Sequence, residues 1–234
     1  MEFNLVQTIA LYALPVLFAI TLHEAAHGYV ARHFGDMTAY RLGRISLNPL
    51  RHIDLVGTIV VPLVILVMSK LAGGPGILFG WAKPVPVNYH ALRRPKRDML
   101  WVAAAGPGAN LLMVLAWLVL LRAVLALPAS YHPIAAMAQA GIFFNLVLMF
   151  LNLLPLLPLD GGRILASLLP MPAAVPFMRL EPLGFPILLV LLVTNMLGVI
   201  LLPLLGYSYH IMSGISGISV QGLVPEALRI VQGA

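Results

Sequence analysis

Two histidines and a glutamate lie close together near the start of the chain, at His23, Glu24 and His27. On a helix, residues four positions apart project from one face, so both imidazoles would point the same way. Neutral imidazoles at that spacing can bind one tetrahedral zinc ion. Glu24 would then lie beside the metal without binding it, placed to take a proton from an activated water molecule. The segment HEAAH therefore predicts a zinc site with Glu24 as general base.

A catalytic zinc ion needs a third protein ligand. Cysteine is absent from the chain, so that ligand must be another His, Asp or Glu. Asp160 is the natural candidate, because it follows an apolar segment in NLLPLLPLDGGRI, where prolines and glycines break the helix. Irregular backbone at membrane depth is tolerated only inside protein or around a water-filled cavity. The alternative is that Asp160 caps the next helix, with Arg163 as its partner.

His33 is a competing third ligand, because HEAAHGYVARH has the histidine spacing of the metzincin motif. That motif needs a glycine that turns the chain back toward the metal, and this chain has Val30 at that position. On a continuous helix His33 would point roughly 240° away from His27 around the axis. We therefore expect His33 to be an interfacial residue beside Arg32.

The composition indicates that these residues lie in a membrane protein. Of the 234 residues, 61% are hydrophobic and 9% are charged, whereas soluble domains have about 45–50% and about 25%. The net charge is +6, but the basic residues cluster in loops, where they act as topology signals rather than as a nucleic-acid-binding face. We predict an all-α polytopic protein that is embedded in the lipid bilayer and binds no nucleic acid.

Four apolar segments are long enough to form transmembrane helices: residues 3–22, 99–125, 134–157 and 183–206. We expect the first helix to continue through the histidines to about Phe34 and to end at Gly35. Residues 37–48 are too charged to cross a membrane and are expected to form a short interfacial β segment. The predicted domains are a membrane-embedded domain over 1–206, which contains the zinc site, and a C-terminal tail over 207–234.

The basic residues also predict the orientation of the chain. Eleven of the 14 Lys and Arg residues fall in three loops, which should therefore be cytoplasmic. Residues 54–82 then have basic loops at both ends, which favours a re-entrant hairpin with GGPG at its tip. A single ordinary span is the alternative. The site is expected on the cytoplasmic side of the cell's inner (plasma) membrane.

Three segments together resemble the site-2 protease family of intramembrane zinc metalloproteases: HEAAH, AAAGPGANLL and NLLPLLPLDGGRI. FGWAKPVPVN and RLGRISLNPLRHIDLVGT are similar to the short bacterial form, which has no PDZ or CBS domain. The resemblance covers roughly residues 15–185. It implies that His23, His27 and Asp160 bind one Zn²⁺ per chain and that Glu24 is the general base. It also implies that Asn152 holds substrate near the metal, although hydrogen bonding between helices is an alternative role for this residue.

The resemblance implies proteolysis within or near the transmembrane segments of other membrane proteins. Residues 37–48 could hold an unwound substrate by pairing with it as an edge strand. The alternative is a transporter or metal-handling protein that uses the same His/Glu/Asp cluster as an ion path. Against it, the sequence shows no inverted repeat, and the polar residues converge on one site. Asn110 and Asn145 are expected to join helices, and the GPG at 106–108 to let helices approach closely.

Overall fold

The computed structural model describes residues 5–71, 80 and 82–225, and these ranges are largely helical. Their α-helices are α1 (Leu5–His33), α2 (Thr38–Arg41), α3 (Val61–Leu71), α4 (Pro95–Val124), α5 (His132–Asn152), α6 (Asp160–Leu168), α7 (Met171–Met178), α8 (Glu181–Val193), α9 (Met196–Ser216) and α10 (Val220–Leu223). Short 3₁₀ turns cover Pro49–His52, Tyr89–Ala91 and Ala129–Tyr131, and a π-helical segment, Leu55–Val60, leads into α3. No strand is formed in the described ranges.

Three long helices, α1, α4 and α5, pack against one another and form the centre of the molecule. The apolar core between α4 and α5 includes Leu121 and Ile142, both fully buried, and α9 adds Leu205 to it. Gly141 allows the close approach of α5 to α4, because a Cβ at this position would overlap the Trp117 ring. α1 packs against both α4 and α5, and α6 packs against α4.

Several helices have the length and composition of membrane spans. Among the described residues, α4, α5 and α9 each qualify, and α7 with α8 forms a fourth candidate that is bent by 64°. Large apolar side chains such as Leu112, Val119 and Val199 are exposed on these helices, as expected where a helix faces lipid. A helix satisfies its own backbone hydrogen bonds, which a lipid environment requires. These helices agree with the prediction of a multi-pass membrane protein.

The predicted end of the first helix is confirmed. α1 ends at His33, and Gly35 follows with φ +105°, a conformation that residues with a side chain rarely adopt. The N–H of Gly35 donates to the Arg32 carbonyl, and the N–H of Asp36 donates to the Ala31 carbonyl. These bonds satisfy carbonyl groups that the end of the helix would otherwise leave free.

The predicted interfacial β segment over 37–48 is wrong, because the chain forms α2 there and then turns at Gly43. The reason is a pair of hydrogen bonds to Asp36, one from a neighbouring residue and one from a distant part of the chain. Asp36 is fully buried, and its carboxylate accepts hydrogen bonds from the Thr38 N–H at 2.9 Å and the Asn88 N–H at 2.6 Å. These bonds start a turn immediately after α1 and hold it against the segment before α4.

The predicted single span over 183–206 is also wrong. α8 ends at Val193, and Asn195 adopts a left-handed conformation with φ 59° before α9 begins. The division of the chain at residue 206 stays a prediction, and α9 continues past that position to Ser216. The hairpin predicted over 54–82 is described as far as Leu71, and its GGPG tip lies outside the described residues.

Candidate metal centre

Three buried side chains from two distant parts of the chain meet at one point. α1 supplies His23 and His27, and Asp160 is the first residue of α6. The two Nε2 atoms are 3.1 Å apart, and each is 3.2 Å from Oδ2 of Asp160. All three residues are more than nine-tenths buried. The structure therefore brings together the three residues that the sequence picked out as candidate ligands.

The hydrogen bond that Nδ1 makes in each imidazole determines which ring nitrogen carries the lone pair. Nδ1 of His27 lies 2.7 Å from the Val102 carbonyl oxygen, and Nδ1 of His23 lies 2.6 Å from Oδ1 of Asn110. Both oxygens can only accept, so each Nδ1 carries the proton and donates it. In a neutral imidazole the Nε2 atom is then an acceptor. When both rings are neutral, two nitrogen lone pairs and a carboxylate oxygen face one another with no proton between them.

Such an arrangement is repulsive unless a cation lies among the three atoms. Oδ2 of Asp160 is buried, and no group in the described ranges donates a hydrogen bond to it. Ligands at about 2.0–2.1 Å in a tetrahedron lie about 3.3 Å from each other, close to the observed 3.1–3.2 Å. Two imidazoles and one carboxylate are a donor set that zinc prefers. The three residues fit a zinc ion.

One face of α4 is shaped to receive the imidazoles. Val102, Gly106 and Asn110 lie four residues apart and so form a single stripe on the helix. A Cβ at Gly106 would overlap atoms of both His23 and His27. The glycine therefore leaves bare backbone against the two imidazoles, while the residues one turn before and one turn after it accept hydrogen bonds from their Nδ1 atoms.

Two glycines after Asp160 allow its burial. A Cβ at Gly161 would overlap the Leu153 and Leu154 carbonyl oxygens, and one at Gly162 would lie against the backbone of Leu156 and Leu157. The loop between α5 and α6 thus folds directly onto the first turn of α6. The sequence DGG consequently places a carboxylate at a helix start and lets the preceding loop cover it.

Glu24 lies beside the three converging residues without joining them. Its Oε2 accepts a hydrogen bond of 2.7 Å from the N–H of Val85. Val85 stands between Pro84 and Pro86, which have no N–H, so this segment presents a single donor to the carboxylate. The bond holds the Glu24 carboxylate next to the three converging residues.

The converging residues open onto a cavity of about 1040 Å³ that Glu24 and Asn152 also line. Asn152 is the last residue of α5 and is half-buried, and its amide nitrogen donates to the Leu148 carbonyl on the same helix at 3.0 Å. The cavity leaves room for the open coordination position that a catalytic zinc ion keeps for water or substrate.

His33, His52 and Asn110 lie in three different environments. His33 ends α1 and is exposed, away from the three converging residues, as the helical geometry predicted. His52, the last residue of the turn Pro49–His52, is 2% exposed, lines the cavity and has its Nε2 2.8 Å from the Ser46 carbonyl oxygen. Asn110 was expected only to join helices, yet it contacts His23 directly. Its position one turn after Gly106 places it on the same face of α4, but only the packing of α1 on α4 brings it to His23.

Comparison with known proteins gives relatives that are named as zinc metalloproteases. A Bacillus subtilis protein named "Putative zinc metalloprotease YwhC" is 38% identical over 199 residues, 82% of this chain and 84% of that protein. The "Putative zinc metalloprotease Rip2" of Mycolicibacterium smegmatis is 30% identical over 76% of this chain and 64% of its own length. Rip2 of Mycobacterium tuberculosis H37Rv is 29% identical over 62% of this chain and 52% of its own. No protein-family model matches the chain, and no solved structure gives a significant match.

The stripe on α4 predicts that Gly106→Ala weakens metal binding, because its Cβ would push the imidazoles apart. We expect a loss of zinc affinity of at least the ~10–100-fold that supporting residues of metal sites contribute. The measurement is chelator competition on purified, detergent-solubilised protein. Gly108→Ala is the matched control on the same helix, because in the described part of the chain its added Cβ meets nothing within 4 Å beyond its chain neighbours and the backbone of its own helix. Equal affinity in the two variants would contradict the packing described for α4.

Two substitutions distinguish Asp160 from His33 as the third metal ligand. Asp160→Asn should weaken zinc retention by more than ~100-fold, because the loss of a ligand exceeds the loss of a supporting hydrogen bond. His33→Ala should retain the metal, because His33 is exposed and outside the group of converging residues. Zinc content after dialysis against a chelator distinguishes these cases. The metzincin-like arrangement would be correct if only His33→Ala lost the metal.

Proposed function

This chain belongs to the site-2 protease family of zinc metalloproteases, and we propose that it hydrolyses peptide bonds within or near the transmembrane segments of other membrane proteins. The observation that carries the proposal is the buried convergence of His23, His27 and Asp160 beside the Glu24 carboxylate. Ionisable groups are costly inside a membrane protein and are expected to be functional there.

The proposed reaction is hydrolysis with one zinc ion per chain. Zinc bound by His23, His27 and Asp160 would lower the pKa of a water molecule to about 7 and polarise the carbonyl of the peptide bond. Glu24 takes the proton from the attacking water and delivers it to the nitrogen that leaves. The Val85 N–H keeps the Glu24 carboxylate oriented for both transfers.

The proposed substrate is an unwound segment of a transmembrane helix. Most residues lining the cavity are apolar, among them Leu17, Leu148 and Leu188, which suits the side chains of such a segment. A peptide bond in an intact helix is shielded by its own hydrogen bonds, so local unwinding must precede cleavage. Asn152 is proposed to bind the freed backbone, because an amide can both donate and accept hydrogen bonds. We do not propose pairing of the substrate with residues 37–48, because α2 occupies the first part of that segment and no strand forms there.

The active site is proposed to face the cytoplasmic side of the inner (plasma) membrane. His27 is five residues before Arg32 on α1, and Val102 is five residues after Arg97 on α4. At 1.5 Å per residue, the site lies about 8 Å from these basic helix ends. Basic residues mark cytoplasmic ends of membrane helices, and a site at that depth is accessible to water.

The central expectation is that Glu24→Gln lowers cleavage by roughly 10²–10⁴-fold, the usual contribution of a general base. The variant should bind zinc as tightly as the parent, because Glu24 is not a ligand. The measurement is a cell-based assay over tagged single-span membrane proteins, paired with metal analysis of the purified chain. Glu181→Gln, which removes an exposed carboxylate at the start of α8, is the matched control and should cleave normally. Undiminished cleavage by Glu24→Gln would refute the role of Glu24.

A further inference from the structure

We propose that Asn110 and Asn145 form a directed hydrogen-bond relay that fixes the tautomer and orientation of His23 and thereby sets the metal affinity of the site. The inference deepens the proposed function and rests on it, because it concerns the same metal centre. Both asparagines are 0% exposed, and they connect α1, α4 and α5. They would act as positioning residues and would touch neither metal nor substrate.

The relay has one direction because a backbone carbonyl anchors its outer end. The Gly141 carbonyl can only accept, and it receives a hydrogen bond of 2.8 Å from Nδ2 of Asn145. Oδ1 of Asn145 then accepts from Nδ2 of Asn110 at 2.9 Å. The Ala19 carbonyl lies 3.4 Å from the same Nδ2 and reinforces its orientation. Oδ1 of Asn110 is consequently turned toward His23.

The direction of the relay determines which nitrogen of His23 carries the proton. Oδ1 of Asn110, 2.6 Å away, can accept only if Nδ1 of His23 is protonated. The lone pair of the neutral ring is then on Nε2, which faces His27 and Asp160. If either amide were flipped, two N–H groups or two oxygens would meet, or His23 would carry its proton on the nitrogen that must bind metal.

The two histidines are held by different kinds of group. His27 donates to the Val102 carbonyl, which is part of the α4 backbone and cannot be altered by a side-chain substitution. His23 depends on two side chains, Asn110 and Asn145, which substitution can remove. Asparagines that merely join helices would be satisfied by bonding to each other. Here Asn110 directs its oxygen to a ligand instead, so the pair has a role that helix joining does not explain.

The test measures zinc affinity by chelator competition and the visible absorption spectrum of the Co²⁺-loaded protein, using the full chain in detergent. Asn110→Leu removes the acceptor for Nδ1, and we expect ~10–100-fold weaker zinc binding and an altered cobalt spectrum. Asn145→Leu frees the Asn110 amide to flip, and we expect a change in the same direction. If Asn110→Leu does not fold, Asn145→Leu tests the relay from its outer end.

A packing control separates positioning from general destabilisation. Leu121→Ala removes a fully buried side chain from the same helix, eleven residues beyond Asn110, and should lower thermal stability without changing the affinity or the spectrum. Equal losses of affinity in Leu121→Ala and the asparagine variants would overturn the relay. Parent-like affinity and spectrum in the asparagine variants would also overturn the relay. That result would leave the proposed function intact. Failure of the parent chain itself to bind zinc would instead refute the proposed function.

Discussion

The site depends on three buried electron-pair donors that, with both imidazoles neutral, face one another without a proton between them. His23 and His27 donate hydrogen bonds from Nδ1 to oxygen atoms of α4. The Nε2 atoms of both rings therefore face the Asp160 carboxylate. Burying these groups is costly, and their mutual repulsion adds to the cost. A divalent cation bound among the three atoms would replace this repulsion with attraction. The three donors and a cation bound among them would therefore form one functional unit.

Contacts from α4, α5 and the loop before α6 keep these donors together. α4 contributes a glycine that makes space, a carbonyl and an amide that hold the two imidazoles, and α5 anchors that amide through Asn145. The glycines after Asp160 allow the loop between α5 and α6 to cover the carboxylate. A proline-flanked segment supplies the one N–H that orients Glu24. A precise site in a membrane protein thus rests on small residues and single polar contacts between rigid helices.

The candidate ligands could be predicted from the sequence because their signals are local. Four-residue spacing on a helix places His23 and His27 together, and a break in an apolar segment marks Asp160. The fold over 37–48 could not be predicted in this way, because it depends on the Asp36 carboxylate contacting Asn88 across the tertiary structure. The break between α8 and α9 occurs at Asn195 in a left-handed conformation, with no glycine or proline at the turn to mark it. The contact of Asn110 with His23 likewise depends on how α1 packs on α4, which no pattern within one helix specifies.

The most direct measurement of the central claim is zinc X-ray absorption spectroscopy of the purified, metal-loaded chain. The account predicts a four-coordinate zinc ion with two imidazole nitrogens at about 2.0–2.1 Å and two oxygens, one from a carboxylate and one from water. Outer-shell scattering from imidazole counts the histidines independently of the bond lengths. A spectrum with three imidazoles, or with none, would contradict the convergence of His23, His27 and Asp160 on a single metal ion.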